Sequence, residues 1–118
     1  MNQSHALGMR GEFLCSAFLK SKGWKILERN VNSLFGEVDI ICERQGCLWA
    51  VEVKTRRRIE QIWIPGIVSR CQRQRIRNAF EWYVGRHSRF KEYSLGMYLA
   101  IIDMEAEKIQ MFQLFPTI

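Results

Sequence analysis

The sequence predicts an α/β fold: a mixed central sheet flanked by helices, in the element order αβββαββ, forming one domain over residues 1–118. Three observations predict it. Two segments carry apolar residues at helical spacing, five carry β-branched and apolar residues in alternation with polar ones, and short turn signals separate them. At 118 residues the chain is long enough for one substantial core and too short for two.

The first helix is expected over residues 4–22. Ala6, Phe13, Leu14, Ala17 and Phe18 form its apolar stripe, and Gly23 stops it. Glu12 lies beside that stripe, with Gly8 before it and Cys15 and Ser16 after it. Gly8 and Gly11 each cost a helix about 1 kcal/mol relative to Ala. Two such costs in one short helix point to close packing against another element, with Glu12 aimed toward it. Residues 24–31, 37–43 and 48–55 read as three strands, and residues 59–66 as a loop. A second helix is expected over residues 69–84 with Ser69 as its N-cap and Ile76, Ala79, Phe80 and Tyr83 as its buried stripe. Residues 95–103 and 108–114 form the last two strands, joined by a turn at Met104-Glu105-Ala106-Glu107.

The second and third strands carry the chemistry. Between them lies Glu43-Arg44-Gln45-Gly46-Cys47, a turn signal with its glycine near the middle. A hairpin symmetric about Gln45-Gly46 places Asp39 opposite Glu52 and Glu37 opposite Lys54. The period of two puts all four on the face that carries Ile41 and Ala50, with Trp49, Val51 and Val53 on the other. Two acids directly opposite each other destabilise a hairpin, so the Asp39–Glu52 pair calls for compensation. A hard divalent cation supplies it, because Mg²⁺ takes oxygen ligands and is often held by one or two carboxylates plus substrate phosphate. The same residues also suit a solvated strand face with a cross-strand ion pair between Glu37 and Lys54.

Composition narrows the partners. The formal charge is +6, from 18 Lys and Arg against 12 Asp and Glu. A basic surface around an acidic site suits a polyanion whose phosphates meet a bound metal. No uninterrupted apolar run is long enough to span a membrane, and Met1-Asn2-Gln3-Ser4-His5 lacks the basic start and apolar core of a signal peptide. Cys15, Cys42, Cys47 and Cys71 show no CxxC spacing, and only His5 and His87 are present to complete a zinc site. In the symmetric hairpin Cys42 faces Trp49, not Cys47. Reduced thiols packed as small hydrophobes, in a cytoplasmic protein, are the expectation.

Asp39 followed by Glu52-Val53-Lys54 resembles the active-site motif of the PD-(D/E)xK nuclease superfamily, although Val38 stands where that name has proline. The stretch GMRGEFLCSAFLKSKGWKILERNVNSLFGEVDII, followed by LWAVEVKTRRR, looks like the YraN family of small predicted bacterial nucleases. Gly8, Gly11, Glu12, Gly23, Arg29, Asn30, Gly36, Glu37, Asp39, Glu52, Lys54, Thr55 and Arg56 all fit that family's pattern. The family is similar to the archaeal Holliday junction resolvases, which implies a restriction-endonuclease-like fold. It also implies a site in which a helical glutamate joins the Asp and the Glu-x-Lys, and Glu12 matches that position. The resemblance weakens in the second half. Gln72 occupies a position where the family usually has lysine, Arg70 one where it has proline, and an acidic residue of the fourth strand is missing near Met97.

These residues imply a metal-dependent phosphodiesterase acting on DNA, with RNA left open. Asp39 and Glu52, with the Val53 carbonyl adjacent, are the expected ligands of Mg²⁺ or Mn²⁺. Lys54 is the expected electrostatic group and Glu12 an inner or outer partner of the metal. Arg56, Arg57 and Arg58, together with Arg70, Arg73 and Arg77 on one face of the second helix and Arg75 nearby, are the expected phosphate contacts. Gln72, one turn before Ile76, is expected to bond a site carboxylate or a substrate phosphate, or to be an ordinary first-turn residue. The apolar loop at residues 59–66 suits a homodimer contact, a wedge at a DNA branch or a packed lid. A noncatalytic nucleic-acid-binding module and a protein-binding structural domain remain the other readings.

Overall fold

A computed structural model describes residues 3–57 and 67–115. Arg58 and the loop at residues 59–66 therefore lie outside the described residues. Helix α1 spans Gln3–Ser21, followed by strands β1 (Lys25–Ser33), β2 (Gly36–Arg44) and β3 (Cys47–Arg56). Helix α2 (Arg70–Gly85), a 3₁₀ turn at Ser88–Phe90 and strands β4 (Ser94–Asp103) and β5 (Lys108–Phe115) complete the order. The 3₁₀ turn is an addition to the expected αβββαββ.

The five strands form one sheet in the order β1-β2-β3-β4-β5. Its neighbours are antiparallel except for β3 and β4, which run parallel, with α2 in the connection between them. That crossover makes the sheet mixed and lays α2 on one face, while α1 covers the other. Ile41 and Ala50 pack with Ile76, Ala79, Phe80 and Tyr83 of α2, the stripe expected from the sequence. Cys42, Trp49 and Val51, which point the other way, pack with Cys15 and Leu19 of α1. The face carrying Ile41 and Ala50 is therefore core along most of its length, not a solvated surface.

Helix α2 begins as its cap residue dictates, with the Ser69 Oγ accepting from the Gln72 backbone N–H at 3.1 Å. Helix α1 ends in a glycine-type stop. Gly23 has φ 90, and the Trp24 N–H returns to the Leu19 carbonyl at 3.0 Å. The inner face of α1 differs from the expected stripe: Phe13 and Ala17 are exposed, whereas Gly11, Cys15, Ser16 and Leu19 are buried. Gly11 rests on β3 so closely that a Cβ there would overlap the Thr55 hydroxyl. Small side chains, not large ones, bring this helix onto the sheet.

Cys15 and Cys42 are buried and both are free thiols; Cys47 is half-buried and Cys71 is exposed. Burial first, then nearby carboxylates, pushes the Cys15 thiol up to about 12. Among the described residues no helix is long and apolar enough to cross a membrane.

Candidate active site

The hairpin closes through Gln45 (φ 53) and Gly46 (φ 77), a two-residue turn of the kind whose twist matches the strands. Its register runs from Arg44↔Cys47 through Cys42↔Trp49 to Ile40↔Val51, as symmetry about Gln45-Gly46 requires. The cross-strand pairing then ends. Beyond Ile40, β2 stays with β1 through Val31↔Val38, Asn32↔Glu37 and Ser33↔Gly36. Beyond Val51, β3 stays with β4, from Glu52↔Leu99 to Arg56↔Asp103.

Asp39 and Glu52 thus stand at the fork, not in a closed ladder pair. The gap is bridged by a side chain: Asp39 Oδ2 accepts from the Val53 backbone N–H at 2.8 Å. The inside-outside alternation also breaks here, because Val38 packs toward α2 whereas Ile40 packs toward α1. Asn30, on the neighbouring strand, has φ 55, a left-handed conformation that Asn tolerates better than most residues.

Glu52 is 7% exposed. Its Oε2 accepts from Gln72 Nε2 at 2.7 Å and lies 3.7 Å from Lys54 Nζ. Lys54 therefore pairs along its own strand with Glu52, which corrects the expected pair with Glu37. Burial raises the Glu52 carboxyl most, followed by its hydrogen bond and charge interaction with Asp39. Lys54 opposes these, and the result is about 9. Glu12 enters from α1, and burial, then Asp39 and Glu37, push its carboxyl up to about 7. Glu37 is raised by burial and then by Asp39. Burial and the neighbouring carboxylates thus disfavour ionisation of Glu12, Glu37 and Glu52.

Asn30 is the member that the sequence reading passed over. With its amide nitrogen turned toward the acids, it donates to Glu12 Oε1 at 2.6 Å and Glu37 Oε1 at 3.3 Å. This orientation is assigned from the bonding pattern, as amide orientations are. Asp39 and Glu37 both line two cavities. One, of about 300 Å³, is lined by Glu37, Glu52, Gln72 and Arg75 on the α2 side; the other, of about 500 Å³, by Glu12, Arg29, Asn30 and Glu37 on the α1 side.

The basic residues divide. Arg56 and Arg57 join Lys54, Thr55 and Gly8 around a third cavity of about 460 Å³. Arg70 is exposed and Arg73 half-buried, while Arg77 Nε pairs with Glu81 Oε1 at 3.1 Å. Of the α2 arginines, Arg75 lines the acidic cavity; it was expected only as a neighbour of the others.

The chain matches the uncharacterised protein family UPF0102 over residues 11–104. It belongs to that family. Its relatives in the family include a UPF0102 protein of Dictyoglomus turgidum, 37% identical over 102 residues, covering 86% of each chain. Another, from Campylobacter fetus, is 30% identical over 112 residues, covering 94% of each. A more local match to a UPF0102 protein of Syntrophomonas wolfei is 51% identical over 51 residues, 43% of this chain and 44% of that relative. The family assignment agrees with the YraN resemblance read from GEVDII and VEVKTR. Among solved structures, an XisH family protein from Nostoc punctiforme aligns over 92% of this chain and 98% of its own, at 19% identity and a TM-score of 0.40. An fdxN element excision controlling factor protein from Anabaena variabilis aligns over 92% and 97%, at 17% identity and a TM-score of 0.38. Likeness at this level carries no assignment.

Proposed function

We propose that this UPF0102 member is a metal-dependent phosphodiesterase acting on DNA, built on a PD-(D/E)xK-type core. The observation that supports the reading most is the fork itself. The one place where β2 and β3 stop pairing is the place where Asp39, Glu52 and Lys54 meet. Glu12 joins them from the opposite helix.

The donor set fits a hard divalent cation. Two carboxylates lie together with a single nearby ammonium, and burial and mutual repulsion hold Glu52 up at about 9. Among the described residues no group of three or more His, Cys, Asp and Glu is arranged to hold a metal. Mg²⁺ does not demand such a cage, because it is commonly held by one or two carboxylates with water and substrate phosphate filling the shell. Asp39 and Glu52 would hold the cation, with the Val53 carbonyl adjacent. The bound ion would lower the pKa of an attacking water and stabilise charge on the phosphate oxygens.

The other roles belong to the chain. The Asp39–Val53 hydrogen bond fixes one carboxylate against the strand that carries the other. Lys54 would meet the charge that builds on the phosphate oxygens. Glu12, raised to about 7 by burial and by Asp39 and Glu37, would be an inner or outer partner of the cation. Arg56 and Arg57 on one side of the fork and Arg75 on the other would bind flanking phosphates without reading bases.

The test is to incubate the protein with labelled linear, flapped and branched DNA, and with RNA, in Mg²⁺, Mn²⁺ or EDTA. Cleavage that EDTA abolishes, and that Asp39→Asn and Glu52→Gln both remove, is expected. Binding without cleavage on every substrate and metal would replace this reading with that of a noncatalytic nucleic-acid-binding module.

A further inference from the structure

Glu52 Oε2 has an unusual pair of neighbours. Lys54 Nζ at 3.7 Å brings a charge, whereas Gln72 Nε2 at 2.7 Å brings a hydrogen bond and no charge. The amide is presented by a fixed element. The Gln72 backbone N–H is held by the Ser69 cap, and the buried stripe from Ile76 to Tyr83 seats the helix on the sheet. Gln72 comes from a position 20 residues away in sequence, so its meeting with Glu52 is a tertiary contact, not a local accident.

We propose that Gln72 is a positioning residue: it fixes the Glu52 carboxylate for a cation shared with Asp39, and does so without cancelling the charge that draws the cation. The inference rests on the cation reading of Asp39 and Glu52 given above. Its physical basis is a division of labour at one oxygen. A carboxylate buried this deeply needs donors for its lone pairs, and leaving one unmet is costly. A lysine, the residue usual here in the family this sequence resembles, would meet that need too, but would set a second positive charge beside Lys54 at the same carboxylate. A glutamine meets the need and adds no positive charge to compete with a divalent ion. A leucine would preserve the charge and the helix but release the carboxylate to swing toward Lys54.

The two halves separate experimentally. Calorimetric titration of Mn²⁺ into the full chain should show binding by the wild type. Gln72→Leu should weaken it by about 10-fold or more, the usual scale for losing a group that orients a metal ligand. Gln72→Lys keeps a donor within reach of Glu52, so its thermal midpoint should stay near that of the wild type while its Mn²⁺ affinity falls at least as far. In nitrogen-15 spectra the Gln72 side-chain amide should exchange slowly with solvent, and Glu52→Gln should move its signals. Wild-type affinity in both Gln72 variants would overturn the positioning role while leaving the cation site standing, and so would a Gln72 amide indifferent to Glu52→Gln. A wild type that takes up no Mn²⁺ would overturn the cation reading itself, and this inference with it.

Discussion

The β2–β3 hairpin has two ends that follow different rules. At its turn end, from Arg44↔Cys47 to Ile40↔Val51, residues face each other in unbroken register, and side chains from both helices bury both faces. At its open end the strands part, a carboxylate takes the place of a ladder acceptor, and four acidic groups gather around the gap. Ordinary apolar burial stabilises the first end. The second end works against stability, since its charges repel one another in a partly dry setting. The fold therefore tolerates the fork because the zipped end, the parallel β3–β4 pairing and the two helices hold the surrounding chain in place.

Substitutions should separate the two ends sharply. The largest loss of stability is expected at the zipped end. Ile41→Ala deletes a fully buried side chain between β2 and α2 and should cost about 2–5 kcal/mol in denaturant unfolding. Lys54→Ala at the open end should leave a cooperative fold while lowering DNA cleavage by about 10²–10³-fold, the effect of losing an electrostatic catalytic group. Equal cleavage by wild type and Lys54→Ala would detach the Glu-x-Lys pair from the chemistry.

A further effect should appear with pH. The Glu52 carboxyl is raised from the ordinary 4.5 to about 9, and that of Glu12 from 4.5 to about 7. Between those limits the cation-free folded protein holds protons that the unfolded chain has released. This contribution to stability is complete below the unfolded value and fades as pH rises through about 7 and then about 9. Urea unfolding in EDTA should therefore show stability falling from about pH 5 to about pH 9, and Glu52→Gln should flatten the upper part of the fall. A wild-type profile that rises over this range would mean that the acids are not crowded as described.

The smallest effect concerns the flanking arginines. Arg75→Ala should reduce the salt dependence of duplex binding by about 0.9 in slope, one phosphate contact. Arg77→Ala, whose side chain already engages Glu81, should change it less. The reverse ranking would place the nucleic acid along the outer face of α2.

The same contrast explains what is legible in the sequence. A two-residue turn with a glycine and period-two alternation are local rules, and they suffice to pair Cys42 with Trp49 and to assign Ile76, Ala79, Phe80 and Tyr83 to the core. Those rules assume that a ladder continues until its strands end. They cannot announce that β2 will follow β1 and β3 will follow β4, so Asp39 and Glu52 are found together but not in the expected opposition. Helix α1 shows a second gap. Its inner face is made of Gly11, Cys15 and Ser16 beside Leu19, residues too small to dominate a hydrophobic stripe, so Phe13 and Ala17 misdirect the reading outward. Asn30 carries no apolar signal at all, and only its place in the family pattern marks it.

The contact between Gly11 and Thr55 acts as a spacer of zero thickness. Glu12 follows one of these residues and Lys54 precedes the other, so the gap across the site between helix and strand is set where the Gly11 backbone meets the Thr55 side chain. Gly11→Ala would change no acid, base or ligand, yet a single methyl group must lift the helix or displace the Thr55 side chain. In this molecule the reach of the Glu12 carboxylate is determined by an atom that is not there.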